Sequence, residues 1–146
     1  MLDWHPDGKS ILFASTRTSE KDRFNHLYTV PAEGGLPTRI PVPYGEFGML
    51  NGDGNMLVAG TCTRTSLPDV MCVVRLLGNG QLDGSFGSAN AAAYVEFPAA
   101  ARTTKMLLQT NGQIVMIGQC GTAAPYSLCA TRLHVNGAMD TSYGSA

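Results

Sequence analysis

Charge is scarce in this sequence, at 14% of 146 residues, and neither sign dominates. Ten Lys and Arg stand against eleven Asp and Glu, for a formal net charge of −1. With no basic surplus to neutralise phosphates, nucleic acid is not an expected partner. No apolar run approaches the length of a membrane-spanning helix. The opening residues, Met1-Leu2-Asp3-Trp4-His5-Pro6, carry neither the charged nor the apolar segment of a signal peptide. They start almost directly on a structural motif, which suggests a fragment. Helical periodicity is missing, and Ala99-Ala100-Ala101 is too short to sustain a helix. His5, His26 and His134 share no spacing and have no paired carboxylate, so neither a triad nor a metal site is expected there. Gly52-Asp53-Gly54 is too short for a phosphate loop and precedes no helix. Ser66, Ser85 and Ser127 lack a nucleophile-elbow context. The expectation is therefore no enzyme, no catalytic residue, no metal and no cofactor.

What the chain has is turns. Its 17 Gly and eight Pro are scattered rather than clustered, and its length fits one domain with a real core. Breakers recur every eight to twelve residues, a spacing that predicts an all-β protein of short strands. In the first unit the turn His5-Pro6-Asp7-Gly8-Lys9 precedes a strand over Ser10–Ser15. A second strand covers His26–Val30. A third, Thr38–Val42, reads as an edge because Pro41 cannot donate to a central ladder.

The later chain repeats itself. Gly54 and Gly60 match Gly112 and Gly118 at an offset of 58, while Arg75, Asp83 and Gly87 match Arg132, Asp140 and Gly144 at 57. One loop deletion explains the change. Gly8 matches Gly54, 46 residues on, so the first unit shares the opening turn and strand. Such periods point to solenoids, propellers or arrays. Each unit reads as an antiparallel meander of about four strands, which is a propeller blade. The runs Met56-Leu57-Val58-Ala59 and Ile114-Val115-Met116-Ile117 are apolar without alternation, as central strands covered on both faces should be. The units are 1–48, 49–98 and 99–146. Three blades fall short of the four to eight that close a ring. Self-association to complete the ring, or a protein or peptide partner, is therefore expected.

Each of the last two units holds a cysteine pair, Cys62 with Cys72 and Cys120 with Cys129. The spacings do not fit a zinc ribbon. Adjacent strands place each pair side by side, which favours a disulfide within each hairpin; two pairs of reduced, half-buried thiols are the alternative. Disulfides imply an oxidising, extracytoplasmic location. Asp7, Asp53, Asp83 and Asp140 recur in turns with Gly8, Gly54 and Gly112. Single carboxylates so far apart suit turn capping rather than calcium ligation. Arg75 and Arg132 are expected to pair with a turn acid or with backbone carbonyls.

Two resemblances follow from these motifs. Trp4-His5-Pro6-Asp7-Gly8-Lys9-Ser10-Ile11-Leu12-Phe13-Ala14-Ser15, with Leu27-Tyr28-Thr29-Val30-Pro31-Ala32-Glu33-Gly34-Gly35 and Pro43–Gly48, resembles a blade of TolB-like and tricorn-protease-like propellers. Residues 50–146 resemble two delta-60 repeats, the first carried by Asp53-Gly54-Asn55, Val58-Ala59-Gly60, Val74-Arg75-Leu76 and Asn79-Gly80-Gln81-Leu82-Asp83-Gly84-Ser85-Phe86-Gly87. Residues 99–146 depart from that pattern at Asn111, Ile117-Gly118 and Tyr143. The switch of family near Met49–Gly54 suggests a chimera, natural or engineered. The resemblances imply a non-catalytic propeller module of a secreted or cell-surface protein. The alternative is the non-catalytic propeller of a secreted tricorn-like peptidase, gating or presenting peptides.

Overall fold

Proline and glycine cut this chain into short extended segments, and the segments pair locally. The computed structural model describes residues 3–16, 25–42, 45, 47–88 and 91–144. Among them are eleven strands and no helix. The first sheet orders β1 (Asp3–Trp4), β2 (Ser10–Ser15), β3 (His26–Pro31) and β4 (Thr38–Arg39). The second orders β5 (Phe47–Leu50), β6 (Met56–Arg64), β7 (Leu67–Leu76) and β8 (Ala92–Val95). The third orders β9 (Ala101–Leu108), β10 (Ile114–Cys120) and β11 (Ser127–Leu133). All pairings are antiparallel between sequence neighbours. The all-β expectation holds, with one correction: the third sheet has three strands rather than four among the described residues. After β11 only Met139 bridges back, to Leu133, and Asp140 then turns the chain away.

Two strand boundaries also move. β4 is two residues long because Pro37 and Pro41 flank it and neither can donate. β3 runs one residue past its expected end, to Pro31, and in the second sheet β8 returns to pair with Met71–Val74. The part of the first resemblance that rests on Pro43, Tyr44 and Glu46 lies outside the described residues.

The three sheets stack face to face, with the second in the middle. Leu57, Ala59, Met71, Val73 and Phe86 on one of its faces are buried with Met106, Ile114, Met116 and Leu133 of the third sheet. Leu50, Met56, Val58 and Leu76 on its other face are buried with Leu12, Leu27, Ile40 and Val42. Side chains alternate along a strand, so a sheet covered on both sides needs apolar residues at every position. That is why Met56-Leu57-Val58-Ala59 is a continuous run. Each buried aliphatic side chain contributes about 1.5–3 kcal/mol of transfer free energy.

Polar links register the stack. Asp3 Oδ2 accepts the Leu50 amide at 2.8 Å, joining the first and second sheets. Buried Thr103 donates its hydroxyl to the Gly60 carbonyl at 2.8 Å, and its amide donates to Thr61 Oγ1 at 3.2 Å, joining the second and third. Cys62–Cys72 and Cys120–Cys129 are disulfides, one in each of the last two sheets. No helix among the described residues is long and apolar enough to cross a membrane.

Candidate functional site

The turn residues come first, since they position everything else. Gly8, Gly54 and Gly112 have φ of 70°, 77° and 81°, the left-handed region that glycine enters without a Cβ penalty. Each donates its amide to the carbonyl three residues back: Gly8 to His5, Gly54 to Asn51 and Gly112 to Gln109. Asp7 caps its turn by accepting the Lys9 amide at 2.8 Å. That bond, assisted by His5 at 2.7 Å, holds its carboxyl below the usual range. In the second unit the capping acceptor is Asn51 Oδ1, which takes the amides of Asp53 and Asn55 at 3.1 and 2.8 Å. Asp53 itself accepts only a long bond from the Asn51 side chain, at 3.4 Å.

Asp83 and Asp140 do more than cap. Asp83 accepts the Ser85 hydroxyl at 2.6 Å, the Ser85 amide at 3.0 Å and Arg75 Nε at 2.8 Å. Asp140 accepts the Ser142 hydroxyl at 2.6 Å, the Ser142 amide at 3.0 Å and Arg132 Nε at 2.7 Å. Both carboxylates are buried. The serine bonds come first among the causes that lower their pKa, and the arginine assists. For Asp140 the value falls to about 2. The Arg75 guanidinium lies 4.8 Å above the Phe86 ring, and that of Arg132 lies 4.8 Å above Tyr143. An arginine, an aspartate, a serine and an aromatic thus form one clasp, built twice.

The first clasp is filled. Arg75 Nη1 donates to the Val135 carbonyl at 2.8 Å, and the Gly87 amide donates to the Asn136 carbonyl at 2.9 Å. Both acceptors belong to the turn after β11, so the second unit grips the third by its backbone. Gly137 completes the fit, since a Cβ there would meet the Gly87 amide nitrogen at 2.9 Å and Phe86 at 3.0 Å.

The sequence pointed to both arginines and both aspartates, and to carbonyl pairing by the arginines. It missed Ser85 and Ser142 as partners. Their signal is plain in hindsight: each stands two residues after its aspartate, 57 positions apart. The three histidines stay apart. His5 sits at the first turn beside Asp7, buried His26 takes Arg39 Nη2 at 2.8 Å, and His134 follows β11. No three His, Cys, Asp or Glu side chains among the described residues are grouped to hold a metal. A cleft of about 320 Å³ lies between the first sheet and the turn after β7, lined by His5, Thr29, Arg39, Pro41 and Asn79. It gathers no pair of carboxylates.

No protein-family model matches the chain, and no curated protein matches it.

Proposed function

We propose that this chain is a non-catalytic β-propeller-type scaffold and interaction module of an oxidising, extracytoplasmic compartment. Its three sheets act as blades, and it works by associating into a larger ring. The observation that carries the reading is the repeated stacking. Face-to-face apolar packing joins the first sheet to the second and the second to the third, and at the latter junction it is accompanied by a backbone grip on the turn after β11. A stack that adds units by one repeated contact is the logic of propellers and other repeat arrays. The TolB-like and delta-60-like motifs support the same reading from the sequence side. The two disulfides support the compartment. The charged side chains of both clasps are engaged in structural bonds, which supports scaffolding over catalysis.

Light scattering after size-exclusion chromatography tests this. The expected result is a mass at two or more times the 15.4 kDa of one chain. A monodisperse particle of one chain contradicts it, and one that also binds no apolar dye shows that both outer faces are stable in water.

A further inference from the structure

The second and third sheets offer a direct internal comparison, because several positions that are covered in one are exposed in the other. Met71 is 0% exposed against the third sheet, whereas Leu128, its counterpart at an offset of 57, is 80% exposed. Phe86 is 1% exposed and Tyr143 is 37%. Leu57 and Ala59 are buried there; of their counterparts on the outer face of the third sheet, Ile117 is half-buried and Val115 is 8% exposed. The clasp follows the same rule. Arg75 Nη1 and the Gly87 amide have turn carbonyls to donate to. Arg132 Nη1 and the Gly144 amide have none among the described residues, although Arg132 is held in place by Asp140 and Tyr143.

The chain also carries a turn of the right form at its other end. The turn gripped by Arg75 closes through Gly137 N–H to the His134 carbonyl, and the turn after β3 closes in the same way through Gly34 N–H to the Pro31 carbonyl. This makes Ala32 and Glu33 the counterparts of Val135 and Asn136. Gly34 has φ of +101° and nothing within 4 Å of a Cβ built on it, so the turn stands open. Strand pairing extends the match. Ile11 pairs with Val30 just before this turn, as Ile114 pairs with Leu133. Ile114 and Leu133 are the residues that the third sheet presses onto the second. Ile11 and Val30, with Phe13, therefore form the outer face of the first sheet, and they are only half-buried.

We propose that the bare clasp and outer face of the third sheet receive the first sheet of a second copy of this chain. Arg132 Nη1 donates to the partner copy's Ala32 carbonyl, and the Gly144 amide donates to its Glu33 carbonyl. Ile11, Phe13 and Val30 of that copy cover Leu128, Ile117 and Tyr143. The contact is head to tail, so a pair of copies closes only if each copy serves both roles. This inference rests on the scaffold reading above and names the contact by which it assembles.

Native mass spectrometry and sedimentation of the intact, oxidised chain test it. Wild type is expected to form a pair, and Arg132→Met to raise the dissociation constant about tenfold or more, since a charge-assisted bond to a carbonyl is lost. Amide exchange on wild type supplies a second readout that needs no variant to fold. The Gly144 amide should be protected at high concentration and lose that protection on dilution. A wild-type chain that stays single overturns both this contact and the scaffold reading. A wild-type pair with unchanged affinity in folded Arg132→Met, or with a freely exchanging Gly144 amide, overturns the contact alone.

Discussion

Arg75 and Val135 are 60 positions apart, and the guanidinium of the first donates to the backbone carbonyl of the second at 2.8 Å. The same guanidinium holds Asp83 at 2.8 Å and reaches Ser85 at 3.2 Å. One planar group with several fixed donors thus joins a strand, its own return loop and the next sheet. Arg75→Met should lower the thermal midpoint by about 5–10 °C, from loss of charged hydrogen bonds in a domain of this size. Arg75→Lys should not restore it, because a compact ammonium cannot reproduce the fork. Calorimetry of the two variants checks this, and full rescue by lysine would show that charge alone matters.

Gly137 tests the same junction from the other side. With φ of +85° and the Gly87 amide in the way, alanine is both strained and obstructed. Gly137→Ala should cost roughly 1–3 kcal/mol, read as a lower urea midpoint at unchanged m-value. A neutral substitution would mean that the turn does not seat against Phe86.

The disulfides make a separate prediction. Cys62–Cys72 and Cys120–Cys129 close loops of ten and nine residues. Each should contribute on the order of 3 kcal/mol by the loop-entropy estimate. Denaturing mass measurement should show a gain of about four hydrogens on full reduction, and the reduced chain should unfold at lower urea. An unchanged mass would mean that the thiols were already free.

Acid stability follows from the clasps. The Ser142 bonds and Arg132 hold the Asp140 carboxyl at about 2, below its unfolded value of about 3.9. A depressed folded pKa means that the unfolded state binds the proton first. The stabilisation is therefore complete above about pH 4 and is lost as pH falls from there towards about 2. Asp83, lowered by the same kinds of bond, adds in the same direction. Urea unfolding across that range should show the decline, and Asp140→Asn should flatten it. An equal slope in the variant would assign the effect to other carboxylates.

Much of the fold was legible because burial leaves a periodic trace. The unalternating run at Met56–Ala59 announced a sheet enclosed by neighbours, whereas the sheet that holds the matching run Ile114–Ile117 has a neighbour on one face only, and Gly54 with Gly112 marked equivalent turns. The paired cysteines were legible because adjacent antiparallel strands bring such positions side by side. The grip of Arg75 on Val135 was only half legible. Its acceptor is a backbone carbonyl, which every residue carries, so no sequence signal names it. Asn51 displaced Asp53 as the cap because either side chain can fold back onto a nearby amide, and local geometry chose. The first unit's turn also hides an offset. His5 to Ser10 is one residue longer than Asn51 to Asn55, though the same amide–carbonyl pair closes both. A glycine alignment alone therefore places β2 one position out of register with β6.

The most direct measurement on the proposed ring is single-particle imaging of the wild-type chain at assembling concentration, in oxidising buffer. The expected image is a closed particle with six sheets radiating from a central axis, three from each copy. Particles holding only three stacked sheets, or copies joined without a common axis, would contradict it.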